Sequence, residues 1–276
     1  MISEPFQQND KSFLTIEKWI SKIKGLEVGF TTKLGGVSKN HYSSLNLGLH
    51  VQDDQNDCIT NRKIISSKTS IPYENWVFAE QVHGNRIEAI TDRDRGRGLL
   101  SYEQGIPKCD GFYTHNPNIM LSLCFADCVP LYFLEPNREL IGIAHAGWKG
   151  TVKNIGGEMV KTWIDREGVN PSEIMAVIGP SIGGCCYIVD DKVITAIQEL
   201  KLQEYPSPYV QISSNQYKLN LKQLNKNLLL ESGIKEENIM VSRLCTCCEK
   251  ELFFSHRRDD GKTGRMLSFI GINREA

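Results

Sequence analysis

The sequence predicts a single α/β (α+β) domain, and three observations carry that prediction. The apolar runs IMLSLCF (119–125), LIGIAHA (140–146) and IMAVIG (174–179) have the pattern of strands covered on both faces. Segments of helical periodicity interleave with strand-like segments to the end of the chain. No repeat, low-complexity tract or linker-like stretch divides the 276 residues, so 1–276 is assigned to one domain.

Taken in order, Ile16, Trp19, Ile20 and Ile23 have helical spacing, and the helix should stop at Gly25. LEVGFTT follows as a short strand, then the turn-rich KLGGVSKNHYSSLNLG, where Gly35–Gly36 and Asn46–Gly48 suit unusual backbone angles. Asp57 to Ser67 is expected to be a helix presenting Asn61 and Arg62, and NWVFAEQVH a strand leading into His83–Gly84. An amphipathic helix is predicted from about Thr151 to Arg166. Asp190 suits an N-cap, with Val193, Ile194, Ile197 and Leu200 on one apolar face. A further helix should run from Asn220 to about Ser232 and end at Gly233. IMVSRL (239–244), ELFFSHRR (251–258) and MLSFIGI (266–272) read as the last strands.

Composition excludes several classes. The chain has 32 Lys+Arg against 33 Asp+Glu, a formal net charge of −1, which argues against a nucleic-acid partner and its basic footprint. With 24% charged and 40% hydrophobic residues, the chain is not of the disordered type. No apolar run approaches a membrane span, and MISEPFQQNDKSF lacks the features of a secretory signal, so a cytoplasmic protein without a membrane partner is expected. Nine cysteines, including the adjacent pairs Cys185–Cys186 and Cys247–Cys248, do not suggest an extracellular disulfide framework. In a reducing compartment they read as buried small hydrophobes, with one or two as candidates for a reactive or metal-bound thiol. CTCCEKE, with Cys245, Cys247 and Cys248, has no matching cysteine pair following at zinc-ribbon spacing and is read as structural or as a pocket wall.

Chemistry concentrates in three segments: AEQVHG with His83, FADCVP with Asp127 and Cys128, and IAHAGWKG with His145. The separations, 45 and 17 residues, are not those of a zinc finger. Cys128 follows one buried strand and His145 ends the next, so adjacent strands can bring both to one sheet edge. Two imidazoles and a thiolate suit zinc, three ligands leaving a fourth position open; the alternative is two core histidines and a buried thiol. Asp127 is either a turn former or an acid/base or ligand-orienting group. SHRRDDGKTGR groups Arg257, Arg258, Lys262 and Arg265 around two glycines, which suits an oxyanion or a solvated hairpin. Arg62 is another candidate anion contact. GPSIGGCC lacks the helix a dinucleotide fingerprint requires, and there is no Walker A pattern.

As a set, GFTTKLGGVS, LNLGLHVQDD, NR, QVHG, CDGFYT, ADCVP, HAGWKG, IGPSIGGCCYIV, CTCC and FFSHRRDDGKTGR resemble the bacterial YlmD/YfiH family over about residues 27–272. This family is also called laccase-domain or multicopper polyphenol oxidoreductase proteins and includes YlmD-type purine nucleoside phosphorylases. The resemblance implies that His83, Cys128 and His145 are metal ligands, for zinc with copper also possible, and a compact mixed-sheet sandwich related to cytotoxic necrotizing factor toxins. It implies phosphorolysis of adenosine, inosine, guanosine and methylthioadenosine, and hydrolytic deamination of adenosine, by a monomer or homodimer. In that setting Asp127 is the candidate proton shuttle, Arg62, Arg257 and Arg258 the candidates for phosphate or ribose, and Asn46 for a polar substrate contact. The six histidines, at 41, 50, 83, 115, 145 and 256, form no His-x-His pairs, so a copper oxidase fits the residues poorly. A Cys–His hydrolase or deamidase with Cys128 as nucleophile and His145 as base, and a non-enzymatic zinc module, remain as alternatives.

Overall fold

The computed structural model describes residues 4–275; Met1–Ser3 of the opening segment and Ala276 lie outside them. Strand alternation builds two six-stranded sheets face to face. The first has the order Gln7–Asp10, Phe13–Thr15, Leu26–Thr31, Met266–Ile272, Met120–Phe125, Trp76–Phe78. The second has the order Ile239–Val241, Met175–Ile178, Val129–Glu135, Leu140–Ala146, Gly111–Thr114, Ile87–Ala89. Both mix parallel and antiparallel pairs. A small third sheet joins Ile188–Val189, Gln216–Leu219 and Tyr209–Ser213.

Side-chain period sets the layers. Along Met120–Phe125, Leu121, Leu123 and Phe125 enter the core between the sheets, with Val28 and Phe30 from the same sheet and Tyr132, Leu134, Ile141 and Ile143 from the other. The intervening Met120 and Cys124 pack outward with Leu45, Leu47 and Ile65 of the helix Gln55–Ser66. On the second sheet Val129, Leu131, Phe133 and Ala144 face outward onto Ile155, Met159 and Trp163 and onto Leu224 and Leu228. Strands buried on both faces therefore read as unbroken apolar runs, and the expected mixed-sheet sandwich with flanking helices is the fold observed.

Several elements differ from the sequence reading. The first helix spans only Glu17–Ile20. The segment 151–166 is two helices, Trp148–Val152 and Ile155–Glu167, because Asn154 sits at φ +56° and caps the second through its side chain. NWVFAEQVH is strand only over Trp76–Phe78, and IMVSRL only over Ile239–Val241. The expected strand 251–258 does not form. Its polar groups bond to Asp127, Asp259 and carbonyls of the loop that follows Ile239–Val241, so it is a pinned loop rather than a ladder partner. Asp190 caps the helix Asp191–Gln198 and Asn220 caps Leu221–Glu231, as their positions predict.

Candidate active site

Three neighbouring strands of the second sheet deliver chemistry to one edge. Asp110 precedes Gly111–Thr114, Cys128 precedes Val129–Glu135, and His145 is the penultimate residue of Leu140–Ala146. Register places them side by side, with Gly111 opposite Ala144 and Pro130 opposite His145. His83 comes from the loop beyond Trp76–Phe78 of the other sheet. Its ligand atom and those of Cys128 and His145 lie within 4.8 Å of one another. Cys128 Sγ is 3.9 Å from His83 Nε2, and the two imidazoles meet edge to face at 4.7 Å between centroids.

A buried carboxylate organises the group. Asp110 Oδ1 accepts from His145 Nδ1 at 2.9 Å and from the backbone N–H of His83 at 3.0 Å. Oδ2 accepts from the N–H of Val82 at 3.1 Å and of Gly84 at 2.7 Å. These bonds hold the loop that carries His83, itself at φ +59°, and leave Nε2 as the free ring nitrogen of His145. Burial raises the Asp110 pKa, but His145 and the backbone donors outweigh it and keep the group ionised below the usual carboxylate value. Burial also disfavours the Cys128 thiolate; His145 and His83 overcome this and bring the thiol down to about 6. Burial lowers His145, yet Cys128 and Asp110 raise it to about 9. Gly147 gives the cluster room, since a Cβ there would crowd Cys128 Sγ and His83 Cδ2 at 3.0 Å. A compact N,N,S donor set with an oriented imidazole and a thiol poised to ionise fits a tetrahedral metal with one position open.

The cluster forms one wall of a cavity of about 480 Å³, within the range of small-molecule sites. Of the residues expected to bind substrate, Arg257 lines this cavity. Its guanidinium donates to Ile188 O at 2.9 Å and lies 5.0 Å from the Tyr187 ring, leaving other donors available.

The other three expected substrate contacts are taken up elsewhere. Arg62, buried, donates to the carbonyls of Leu47, Gly98 and Leu99 and stacks on Phe78. Asn46, fully buried, bonds Asp53, the Gly48 backbone and the Arg265 N–H. Arg258 spans the carbonyls of Thr246, Cys247 and Phe253 and pairs with Asp259. These side chains fasten loops: Asn46 and Arg258 spend their donors on the protein itself, and Arg62 spends its Nε and Nη1. Asn61, expected to be presented by its helix, is likewise buried and pins the loop at Val37, Ser38 and Ser44.

Asp127 lines the cavity at φ +83°, but its carboxylate accepts from Thr246 Oγ1, Ser255 Oγ and the Arg257 N–H at 2.6, 2.9 and 2.7 Å. It ties three loops together and holds the Arg257 backbone N–H. Sequence reasoning left unassigned Asp110, the cavity residues His50, Lys149 and His256, and the cavity-facing role of Arg265. The acidic residue in CDGFYT, just ahead of a buried strand, was the available signal for Asp110.

A two-sheet sandwich whose strand ends hold an Asp-oriented His–Cys–His group in a cation-rimmed cavity defines an enzyme with a small-molecule site. The chain belongs to the family described as multi-copper polyphenol oxidoreductase laccase, whose model matches residues 27–273. It is 51% identical over 271 residues, 97% of each chain, to a protein named purine nucleoside phosphorylase YlmD of Bacillus subtilis. The crystal structure of YlmD from Geobacillus stearothermophilus superposes with a TM-score of 0.95 at 46% identity, covering 99% of this chain and 100% of that one. That of Bacillus licheniformis hypothetical protein YfiH gives 0.94 at 51% identity, covering 98% and 100%. Among the described residues no helix is long and apolar enough to cross a membrane.

Proposed function

We propose that this protein is a purine nucleoside phosphorylase acting on adenosine, inosine, guanosine and methylthioadenosine, with adenosine deaminase activity at the same site. The observation that carries the reading is one cavity with the His83–Cys128–His145 group on one wall and Arg257, Arg265 and Lys149 around it. Relatives of about 50% identity over nearly their whole length, named as phosphorylases, support it.

In phosphorolysis a phosphate oxygen forms a bond to the ribose anomeric carbon as the bond to the purine nitrogen breaks, giving ribose 1-phosphate and free base. Arg257, Arg265 and Lys149 neutralise and orient the phosphate, the electrostatic and positional share of the barrier. Asp127 fixes the Arg257 backbone, and Asp110 fixes His145 and the His83 loop. Zinc held by His83, Cys128 and His145, with copper as the alternative ion, would supply a Lewis acid for charge developing on the departing base. In the deaminase reaction water replaces the adenine 6-amino group and ammonia leaves.

The test is inosine with and without phosphate, following hypoxanthine and ribose 1-phosphate. Base release should require phosphate, and Arg257→Ala should raise the KM for phosphate at least tenfold with unchanged metal content. Base release indifferent to phosphate would replace the reading with a nucleosidase.

A second reading has its own observation: Cys128, His145 and Asp110 follow the order nucleophile, base, orienting carboxylate of a Cys–His hydrolase. Alkylation of Cys128 would abolish that activity, whereas chelation would leave it. The copper oxidase is not favoured, because the two histidine nitrogens and one thiolate make a single centre, and electron transfer among several coppers needs more imidazoles than meet here. All nine cysteines are free, which suits a reducing cytoplasm.

A further inference from the structure

The cysteines read as structural from the sequence come together in space. The partner of the CTCC segment precedes it: a parallel bridge between Ser181 and Cys245 lays the 181–186 loop along the 245–248 turn. Four sulfurs, of Cys185, Cys186, Cys245 and Cys248, lie within 4.8 Å of one another. Cys248 Sγ is 3.5 Å from Cys185 Sγ and 3.4 Å from Cys186 Sγ, beyond covalent S–S length. Thiolates bound at about 2.3 Å to a tetrahedral ion sit roughly 3.8 Å apart, so the cluster already has the dimensions of such a site. Cys247 is not among the four.

At Cys245 the backbone favours anionic sulfur. The Gly183 N–H donates to Cys245 Sγ at 3.1 Å. A Cβ on Gly183 would stand 3.0 Å from Cys185 Sγ, so glycine lets the loop close over the sulfurs. Buried Lys222 donates to Leu244 O beside Cys245, and Lys226 and Arg243 share the adjoining groove with Cys185 and Cys245. Lys222, held on Leu244 O beside Cys245, offsets part of the double negative charge that four thiolates leave on a divalent ion.

We infer that Cys185, Cys186, Cys245 and Cys248 form a second, structural metal site that binds one zinc-class divalent ion through four thiolates. It clips the loop carrying Ile182 and Tyr187, which line the active-site cavity, to the turn whose Thr246 holds Asp127. Four protein ligands leave no open coordination position, so the site serves cohesion rather than catalysis.

The test measures metal per chain in protein purified under reducing conditions with zinc supplied. Cys185→Ser/Cys248→Ser replaces two exposed residues and should hold one zinc fewer than the wild type, with circular dichroism verifying the fold. His83→Ala/His145→Ala should retain the second zinc; with cobalt in its place, that variant should show strong thiolate-to-metal charge-transfer bands. Hydrogen exchange at 181–187 and 245–250 should rise in the cysteine variant. Equal zinc in wild type and cysteine variant overturns the proposal. So does a disulfide among these four residues by mass, an iron–sulfur chromophore, or a histidine variant that binds neither zinc nor cobalt. Because the histidine variant reads the thiolate site alone, failure of the active-site metal reading leaves this result interpretable.

Discussion

Arginine at two positions does two different jobs, and burial decides which. Arg62 is 2% exposed, with three backbone carbonyls as acceptors and Phe78 beneath its plane at 3.8 Å. Removing it strands buried carbonyls and opens a hole, so Arg62→Ala should cost about 2–4 kcal/mol of stability in urea titration, with the KM for phosphate little changed in the protein that remains folded. Arg257 has the opposite profile, exposed on the cavity with little structural load. Asp110 bridges both classes because one carboxylate holds the ring of His145 and the backbone of His83. In Asp110→Asn the amide N–H₂ must confront N–H donors that the second oxygen now accepts. Zinc affinity should fall roughly 10–100-fold by competition with a chelating dye while the far-ultraviolet spectrum stays native. Wild-type affinity in that variant would remove Asp110 from the ligand-orienting role.

At the scale of elements, the break at Asn154 explains how two helices replace one. Its left-handed backbone turns the chain, and its side-chain oxygen accepts from the Gly157 N–H at 3.1 Å, starting Ile155–Glu167 afresh. The new axis lets Gly156 approach Leu131 and Leu229, where a Cβ would stand 3.2 and 3.1 Å away. Asn154→Ala loses the cap and places a less tolerant residue at positive φ, a cost of about 1–3 kcal/mol read from the denaturation midpoint. Asn154→Gly should recover part of it, and equal stability of all three proteins would contradict the capping account. The periodicity of 151–166 could not show the break, because both helices present the same apolar stripe to the second sheet. The 251–258 segment misled for a related reason: Leu252, Phe253 and Phe254 pack on the inner core without joining a ladder, so they look like strand residues.

For the whole molecule, the sheet order crosses the chain from end to end. Met266–Ile272 lies between Leu26–Thr31 and Met120–Phe125, so strands far apart in sequence complete one sheet. The inner core draws on both sheets. Probes placed on the two sheets should therefore report one coincident thermal transition. Two resolved transitions would divide the chain into separate cooperative units.

What the sequence determined by itself was local or compositional. Unbroken apolar runs specified strands buried on both faces, and Asp190, Asn220 and Gly233 marked helix ends because caps depend on neighbouring backbone alone. His83, Cys128 and His145 were legible because their residue types match one metal chemistry and their motifs match a family. Tertiary structure decided the rest. Which groups a polar side chain meets depends on which distant loop packs over it, and so Arg62, Asn46 and Arg258 bond loop backbones while Asp110 holds His145 and Arg265 lines the cavity. The same holds for the four cysteines, whose sulfurs meet only because a bridge at Ser181 and Cys245 brings together two loops some sixty residues apart. Spacing along the chain carries no information about that meeting, since the intervening residues fold into elements of their own.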